Sequence, residues 1–286
     1  LHLSLRRQRQ MCIRDSLYGA RFMRMDLLRI VGRLATAFTR WTPECDKRLH
    51  RLISYIDCTA DAMQIGWVGD DLSHLEPYLY ADADFAGCVL TQRSTTGVHL
   101  CVRGPRSCWP MVGLSKRQGC VSNSTPEAEL VATSHALRIV GCPGLELWQN
   151  LLPHAPKMRF LEDNQAMLQC VKSGKNPTMR HLQRTHRVHV GWVHEQYKSG
   201  QFIFAHESGE RMPPDIFMKM FQDKDKWKTA RQLTNVVLPT EFQKLMDDNK
   251  AIYDAIQERA AIPALVRGVR ASPVGGTCHP QHHPCL

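Results

Sequence analysis

The sequence predicts an α/β fold in which a mixed five-stranded sheet is flanked by helices and preceded by a helical segment. Three observations support this. Strand-like and helix-like segments follow one another in the order β-β-β-α-β-α-α-β-α, the first three strands are separated only by turns rich in Gly, Pro and Arg, and the later strands alternate with helices. The short turns favour an antiparallel meander, and the complete order favours a mixed sheet.

Five segments have the apolar pattern of strands. They are residues 77–85, 96–103, 107–115 and 158–164, and the sequence QFIFAH that begins at Gln201. The first of them contains YADADFAG, in which two acids interrupt the apolar residues. Because side chains alternate along a strand, Asp82 and Asp84 point to the same face.

Helical periodicity fills the segments between and around the strands. A pair of helices is predicted near 26–38 and 45–56, and a long helix over about 126–151, bent or split by CPG at 142–144. QAMLQCVKS is predicted to form a helix, 179–198 a basic helix, and PPDIFMKMF the start of a further helix. EFQKLMDDNKAIYDAIQERAAI forms an amphipathic pattern near the end of the chain.

The charge balance favours a polyanionic partner. The chain has 37 Lys and Arg residues against 27 Asp and Glu residues, a net charge of +10, which suits nucleic acid or an acidic membrane surface. No apolar run approaches the roughly 20 residues of a membrane span, so we expect no membrane insertion. The eleven cysteines include no CxxC pair and no secretory signal is visible, so we expect reduced thiols inside a cell.

Residues 1–16 are set apart from the predicted fold. RRQRQMCIRDS, at 6–16, resembles a peptide that arises when adapter sequence is translated in transcriptome assemblies, and it lacks helical or strand periodicity. We therefore expect residues 1–16 to be a non-native or disordered segment. The alternative is a genuine disordered basic arm.

Single acids in this sequence have ordinary structural explanations. Ser124 and Glu127 have capping-box spacing, so Glu127 has a structural reason to be present. Glu129 has none, because two residues along a helix its side chain points about 200° away. Asp163 before a helix is explained as an N-cap, and Asp215 after two prolines as an acid in a first helical turn.

Together, Asp82, Glu129, Asp163 and Asp215 form a more specific pattern. One acid lies on the first strand, one at the first helix of the sheet domain, one at the end of the fourth strand and one at a late helix. Four carboxylates at one sheet edge repel each other unless cations bind among them. Oxygen ligands of this kind select Mg²⁺ or Mn²⁺.

Seven short motifs lie in the order of a known family. They are YADADFAG, RSTTG (93–97), SCWPMVGLSKRQ (107–118), SNSTPEAELVA (122–132), LEDNQAM (161–167), RHL (180–182) and PPDIFMK (213–219). They resemble the ribonuclease H domain of copia-type LTR retrotransposon Pol polyproteins, which typically reads SDADWAG, RSTSG, WSSKKQ, SSTEAEY, DNQSA, KHI and ADILTK. The sequence departs from that pattern with Phe85 in place of Trp, with two prolines before Asp215 and with Met218 in place of Thr.

The resemblance also implies a domain organisation. Residues 17–74 resemble the connection after the reverse transcriptase palm, and residues 75–238 the ribonuclease H-like domain. Residues 239–286 are expected to hold a C-terminal helix and a disordered tail. The palm is missing, so no polymerase activity is expected. CHPQHHPC in the tail does not match a common zinc finger, and its prolines suit a tail.

The resemblance implies two-metal hydrolysis of the RNA strand of RNA/DNA hybrids during reverse transcription. Two Mg²⁺ or Mn²⁺ ions about 4 Å apart stabilise the attacking and leaving oxygens. Asp82 is expected to bridge both metals, Asp215 to complete the site that activates water, and Glu129 and Asp163 to hold the metal beside the leaving 3′ oxygen. Asp84 is expected to lie outside the ligand set. His206 lies where bacterial-type members of the superfamily have an auxiliary loop histidine, although copia-type domains usually lack one; the alternative is a structural histidine.

Phosphate contacts are expected from basic residues outside the acidic cluster. The candidates are Arg180, Arg184, Arg187 and Lys198 on the predicted basic helix, and Arg93, Lys116 and Arg117 near the strand turns. The alternative for the helix is a solvated charged face. Hybrid selectivity is expected to come from groove shape and 2′-hydroxyl contacts.

The expected partners are an RNA/DNA hybrid and the reverse transcriptase portion of the same polyprotein, in a cytoplasmic virus-like particle or the nucleus, with no membrane. Two other interpretations stay open. One is a catalytically silent nucleic-acid-binding or scaffolding remnant of the polyprotein. The other is a strand-transfer enzyme of integrase type, against which the four-acid order with a terminal Asp argues.

Overall fold

A five-stranded mixed sheet forms the centre of the protein, in a computed structural model that describes residues 2–266 except 153 and 155. The strands are β1 (Met63–Gln64), β2 (Glu76–Asp84), β3 (Thr95–Gly104), β4 (Ser107–Arg117), β5 (Met158–Glu162), β6 (Phe202–His206) and β7 (Val236–Val237). The main sheet has the order β4-β3-β2-β5-β6, and β1 pairs with β7 separately.

The pairing of these strands confirms the predicted α/β class with a five-stranded mixed sheet flanked by helices. β2, β3 and β4 form an antiparallel meander, while β5 runs parallel to β2, and β6 parallel to β5. β2 is the central strand, and residues 77–83 are all buried. Tyr80 pairs with Leu161, so Asp82 and Asp163, each two residues further on, reach the same edge of the sheet.

Ten helices surround the sheet in the described part of the chain. They are α1 (His2–Phe22), α2 (Leu28–Thr36), α3 (Pro43–Cys58), α4 (Thr125–Ala136), α5 (Cys142–Leu151), α6 (Gln165–Ser173), α7 (Leu182–Thr185), α8 (Val190–Lys198), α9 (Lys224–Leu233) and α10 (Phe242–Val266). Helices α4, α6 and α8 pack on one face, in a core that includes Leu79, Val98, Leu130, Phe160 and Phe204. This core fixes α4 against β2.

A single bent helix occupies the region predicted as a long helix with a break. α4 continues through a π-helical turn, Leu137–Gly141, into α5. Pro143 follows the turn, and a proline lacks the N–H that a regular helix needs there. A side chain at Gly141 would lie 2.9 Å from Leu79, so the glycine allows the helix to lie close to the central strand.

The opposite face of the sheet is covered by the N-terminal helices, α9 and α10. Met25, Leu28 and Val31 share one buried cluster with Phe217 and Val236. That cluster joins residues on both sides of the predicted domain boundary near residue 75. Ile256 of α10 packs over Tyr78 and Tyr80 of β2, and α10 covers the segment for which a C-terminal helix was expected.

Residues 2–16 differ from the expectation of a disordered segment. Residues 2–22 form the continuous helix α1, in which Ile13 is buried in one cluster with residues of α2 and α3. Arg9 lies 2.9 Å from Asp46 and stacks over the Trp41 ring. α1 packs mainly on α2, a contact that the pattern of residues 2–16 alone does not reveal.

One local prediction near the C-terminal half of the sheet is wrong and one is confirmed in part. The predicted basic helix over 179–198 is broken into α7 and α8, because Arg187 between them adopts a left-handed conformation with φ of 56°. Asp215 lies in the first turn of a helix, as expected, but this is a five-residue 3₁₀ helix, Pro213–Phe217. The next α-helix begins only at Lys224.

Some predictions fall outside the described residues. The expected disordered tail and the CHPQHHPC sequence lie there, after residue 266. Between residues 2 and 266, apart from 153 and 155, no helix is both long and apolar enough to cross a membrane.

Candidate metal centre

Asp82 is a buried acid on the central strand. Its side chain is 3% exposed, and one carboxylate oxygen accepts a hydrogen bond from the backbone N–H of Ala83 at 2.7 Å. β2 places it near the carboxyl end of the strand, between neighbours on β3 and β5. A single backbone donor does not neutralise a buried carboxylate, so Asp82 needs a cation or a proton nearby.

Glu129 lies on α4, and its carboxylate is close to that of Asp82. Ser124 caps this helix by accepting a hydrogen bond from the Glu127 N–H, and α4 packs on β2. Glu129 is 3% exposed, and its Oε2 atom has no hydrogen-bond donor among the described residues. Glu127 points elsewhere and accepts hydrogen bonds from the Asn123 N–H and from His181. The sequence-based separation of the two glutamates therefore agrees with the structure.

Asp163 completes a group of three acids. Carboxylate oxygens of Asp82, Glu129 and Asp163 all lie within 4.8 Å of one another, and this is the one such cluster of potential metal ligands in the described part of the chain. Asp163 follows β5 directly, at the strand edge next to β2. Its neighbour Asn164, and not Asp163 itself, caps α6. The N-cap explanation of Asp163 is therefore wrong, and its carboxylate is available for the cluster.

Asp215, predicted as the fourth ligand, is not in the group of three acids but lies next to Asp82. A side chain at Gly97 would lie 2.7 Å from the carbonyl oxygen of Pro214, so only glycine lets the 213–217 turn lie so close to β3. Gly97 pairs with Asp82 across the strands. The Gly of the RSTTG motif therefore has a physical role, since it brings Asp215 near Asp82.

Lys219 joins Asp82 and Asp215. Its Nζ atom lies 2.5 Å from Asp215 Oδ1 and 3.3 Å from Asp82 Oδ2. Burial opposes the charge of this ammonium group, but the two carboxylates outweigh burial and raise the pKa of Lys219. The sequence analysis did not single out Lys219, although it is the last residue of the PPDIFMK motif.

The electrostatics of the cluster favour bound protons or cations. Burial, followed by repulsion from neighbouring acids, raises the pKa of Glu129 to about 12. Burial and the Asp82 carboxylate likewise raise the pKa of Asp215 to about 8, against the opposing effect of Lys219. The pKa of Asp163 is raised by burial and by Asp82. Oxygen donors at this spacing, one of them without a donor partner, fit a hard divalent cation such as Mg²⁺ or Mn²⁺.

Glu162 is a buried acid that sequence reasoning missed. It is 0% exposed, at the end of β5, and accepts hydrogen bonds from Thr133 Oγ1 at 3.5 Å and Asn164 N–H at 3.3 Å. Burial, then Asp82 and Asp163, raise its pKa well above the ordinary range. A signal was present, because Glu162 shares its strand face with the buried Phe160.

Asp84 and His206 lie beside the cluster. Asp84 is half-buried and accepts a hydrogen bond from the Thr95 N–H at 2.5 Å, so it holds the β2–β3 turn and is not in the group of three acids. His206 is exposed at the end of β6, and its Nε2 lies 3.1 Å from the backbone oxygen of Asp163. The predicted auxiliary histidine is therefore next to the acidic cluster.

The predicted phosphate-binding residues are only partly brought together. Lys116 and Arg117 border a depression of about 280 Å³ with Arg138 and His186. Arg187 borders a second one, of about 690 Å³, which also includes Arg138. Arg180, Arg184 and Lys198 are exposed and Arg93 is half-exposed, and none of these four borders either depression. Sequence reasoning missed Arg138, which lies on the π-helical turn. Its helical periodicity does not show that the end of β4 lies beside it.

The fold and the site define an α/β protein with a buried acidic cluster at one edge of a mixed sheet. The chain matches no protein-family model, no curated protein and no solved structure.

Proposed function

We propose that this chain is a metal-dependent ribonuclease H that cleaves the RNA strand of RNA/DNA hybrids. The observation that carries the proposal is the meeting of Asp82, Glu129 and Asp163 within 4.8 Å at one sheet edge. The sheet order and the places of the acids suit a ribonuclease H-like fold, and the resemblance to copia-type Pol polyproteins supplies the substrate class. The role in retrotransposon reverse transcription, the polyprotein partner and the virus-like particle or nuclear location belong to the same proposal.

Asp82 has the central position in the proposed site. It belongs to the group of three acids with Glu129 and Asp163, and it also lies close to Asp215, so it is the carboxylate that two Mg²⁺ ions would share. When bound, the ions supply Lewis-acid activation of water and stabilise charge on the phosphate oxygens. Glu129 and Asp163, on a helix and a strand end packed in the core, hold their oxygens in a fixed geometry.

The side chains around the acids have their own tasks. The Lys219 ammonium group compensates the charges of Asp82 and Asp215. Because its side chain is 42% exposed, it can also contact a substrate phosphate. His206 is placed to accept or donate a proton at the exposed side of Asp163. Glu162, fully buried at the end of β5, supports the strand end through its hydrogen bonds with Thr133 and Asn164.

A binding-only function is the second candidate, and one observation favours it. The Lys219 ammonium group already lies between Asp82 and Asp215, where a cation is needed. If Lys219 keeps that place in the presence of Mg²⁺, the chain binds nucleic acid without cutting it. Metal-dependent turnover separates the two functions.

The test is cleavage of an end-labelled RNA/DNA hybrid by the full chain, with Mg²⁺, with Mn²⁺ and with EDTA. We expect metal-dependent cutting of the RNA strand, and its loss by at least about a hundredfold in Asp82→Asn and in Glu129→Gln. Glu127→Gln is the matched control, because it changes a helix acid two residues away that lies outside the cluster. Hybrid binding without cutting by the unaltered chain would leave the binding-only function.

A further inference from the structure

A basic cleft lies beside the acidic cluster, between α2, α3 and residues 216–227. Its volume is about 710 Å³. Seven of the residues that line it are cationic: Arg29 and Arg33 from α2, Lys47, Arg48 and Arg51 from α3, and Lys219 and Lys224 from the segment after Asp215. The sequence analysis placed these helices in a connection and assigned them no binding role.

The acids that line the basic cleft do not balance these charges. Asp26 is buried and paired with Arg24 at 2.8 Å. Glu44 pairs with Arg48 at 3.4 Å, and Asp223 caps α9 by accepting hydrogen bonds from two backbone N–H groups. Among the described residues, none forms an ion pair with Arg33, Lys47, Arg51 or Lys224, so the cleft has a surplus of positive charge. A cleft lined by one sign of charge attracts the opposite sign.

Arg29 shows this surplus most clearly. Its guanidinium group is largely buried and donates a hydrogen bond from Nε to the backbone oxygen of Met218 at 2.7 Å. Burial and the neighbouring Arg33 lower the pKa of Arg29 to about 10, and Asp84 offsets this only in part. A bound phosphate group would remove this repulsion between the two arginines.

The basic cleft is continuous with the acidic cluster. Lys219 lines the cleft and also contacts Asp82 and Asp215. Burial raises the pKa of Asp84, which lies two residues after Asp82. Arg29 and Arg33 lie close enough to oppose part of this rise. Phosphates bound along the basic cleft would therefore lie next to the carboxylates of the acidic cluster.

Aromatic side chains form part of the cleft wall. Tyr55 and Trp227 meet edge to face, with ring centroids 5.8 Å apart, and Phe221 contacts Trp227 in the same way. All three line the cleft. Positive charge combined with aromatic surface is the combination by which proteins hold a nucleic-acid strand without reading its sequence.

We infer that the basic cleft binds the phosphate backbone of a nucleic-acid strand and directs that strand into the acidic cluster. The identification of the strand as part of an RNA/DNA hybrid rests on the proposed function. The preference of the cleft for a phosphate backbone rests on the charges of the cleft alone. The cleft is open and its α3 cations are exposed, which suits a long polyanion better than a small enclosed ligand.

The experiment measures binding separately from cleavage. The full chain carrying Asp82→Asn is titrated in EDTA against a fluorescent RNA/DNA hybrid at several KCl concentrations. The test variant adds Lys47→Gln, Arg48→Gln and Arg51→Gln. The control variant adds Lys157→Gln, Lys244→Gln and Lys250→Gln, which removes the same charge from exposed residues outside the cleft.

We expect the cleft variant to bind at least about tenfold more weakly, and the slope of log affinity against log salt to fall by roughly two or three, because up to three phosphate contacts are lost. The control variant is expected to stay within about twofold in affinity, with its slope reduced by less than one. Thermal melting of each variant checks that the fold is intact, as expected for exposed residues.

Photo-crosslinking locates the bound strand. A benzophenone amino acid at Met220, which is 68% exposed in the cleft, is expected to crosslink the labelled hybrid. The same group at Leu147 on α5, which is 47% exposed and does not line the cleft, is expected to give little crosslinking.

Four results would overturn the inference: equal binding by the cleft and control variants, no hybrid binding by the Asp82→Asn background, equal competition by polyglutamate of matched charge, or normal cleavage by a chain carrying only the three cleft substitutions. The last of these would leave the proposed function standing. Cleft-dependent binding with no cleavage by the unaltered chain would contradict the proposed function alone.

Discussion

Lys219 Nζ lies 2.5 Å from Asp215 Oδ1, four residues earlier in the chain. The same ammonium group lies 3.3 Å from Asp82 on the central strand. One lysine thus compensates two acids that the proposed function assigns to Mg²⁺. If Mg²⁺ binds these acids as proposed, it competes with the Lys219 ammonium group for them.

Replacing Lys219 by Met tests this relationship. In EDTA the variant is expected to lose about 1 kcal/mol of stability, a modest figure because the lysine is partly exposed and screened by solvent. Its Mg²⁺-induced rise in melting temperature is expected to exceed that of the unaltered chain, because no ammonium group competes for the two carboxylates. Melting curves in EDTA and in Mg²⁺ measure both effects. An unchanged Mg²⁺ response would show that Lys219 does not occupy the cation position.

The pKa shifts of Glu129 and Asp215 predict how stability depends on pH. Both folded-state values, about 12 and about 8, lie above those of unfolded carboxyl groups. The folded chain therefore binds more protons than the unfolded chain above about pH 4, and stability falls as pH rises from there toward 8 and beyond. Mg²⁺ bound as proposed would replace these protons, so its stabilising effect is expected to grow over the same range. Urea unfolding at pH 5 and pH 8, with and without Mg²⁺, measures this.

Glu129→Gln provides the matched variant for that experiment. The amide resembles a protonated carboxyl group in shape and needs no proton uptake on folding, so it removes the pH-dependent cost of burying Glu129 without creating a cavity. In EDTA at pH 8 we expect a stability gain of at least about 1 kcal/mol, or roughly 2 to 4 °C in melting temperature. The Mg²⁺-induced shift is expected to shrink sharply. A variant that is less stable in EDTA and still responds to Mg²⁺ would contradict the assignment of Glu129 to the cluster.

Much of this site follows from local sequence patterns. Strand alternation placed Asp82, and the helical angle between Glu127 and Glu129 separated a capping acid from a cluster acid. The order of strands brought Asp82 and Asp163 to one sheet edge. These features depend on periods of two and 3.6 residues, which a single sequence displays directly.

Other features depend on contacts that no local pattern records. Lys219 acquires its role from Asp82, which is distant in sequence. Strand alternation indicates that Glu162 is buried, but its partner Thr133 on α4 is distant in sequence. Arg187 breaks the basic helix without a glycine or proline to mark the break. The basic cleft forms because α3 packs beside residues 216–227. Both contribute to the buried cluster that contains Met25, Leu28 and Val31.

Glu162 and Asp163 are adjacent acids with different expected roles. Glu162 is fully buried, which raises its pKa well above the ordinary range, and Glu162→Gln preserves its shape without a buried charge. We expect this variant to cleave the hybrid within about threefold of the unaltered chain, equivalent to under about 1 kcal/mol. Asp163→Asn is expected to lose cleavage and the Mg²⁺-induced stabilisation. Equal losses in the two variants would place Glu162 among the metal ligands.

The close approach of Gly97 to Pro214 predicts the last test. A methyl group at Gly97 would lie 2.7 Å from the Pro214 carbonyl oxygen and 3.0 Å from its side chain, so the 213–217 turn must move away from β3. Gly97→Ala is therefore expected to cost about 1 to 3 kcal/mol in stability and to weaken Mg²⁺ binding further by displacing Asp215. Gly32→Ala is the matched control, because nothing lies within 4 Å of the added group and α2 favours alanine. Calorimetric Mg²⁺ titration and melting of both variants separate the two effects. Unchanged Mg²⁺ affinity in Gly97→Ala would show that Asp215 does not need this close packing to reach the cluster.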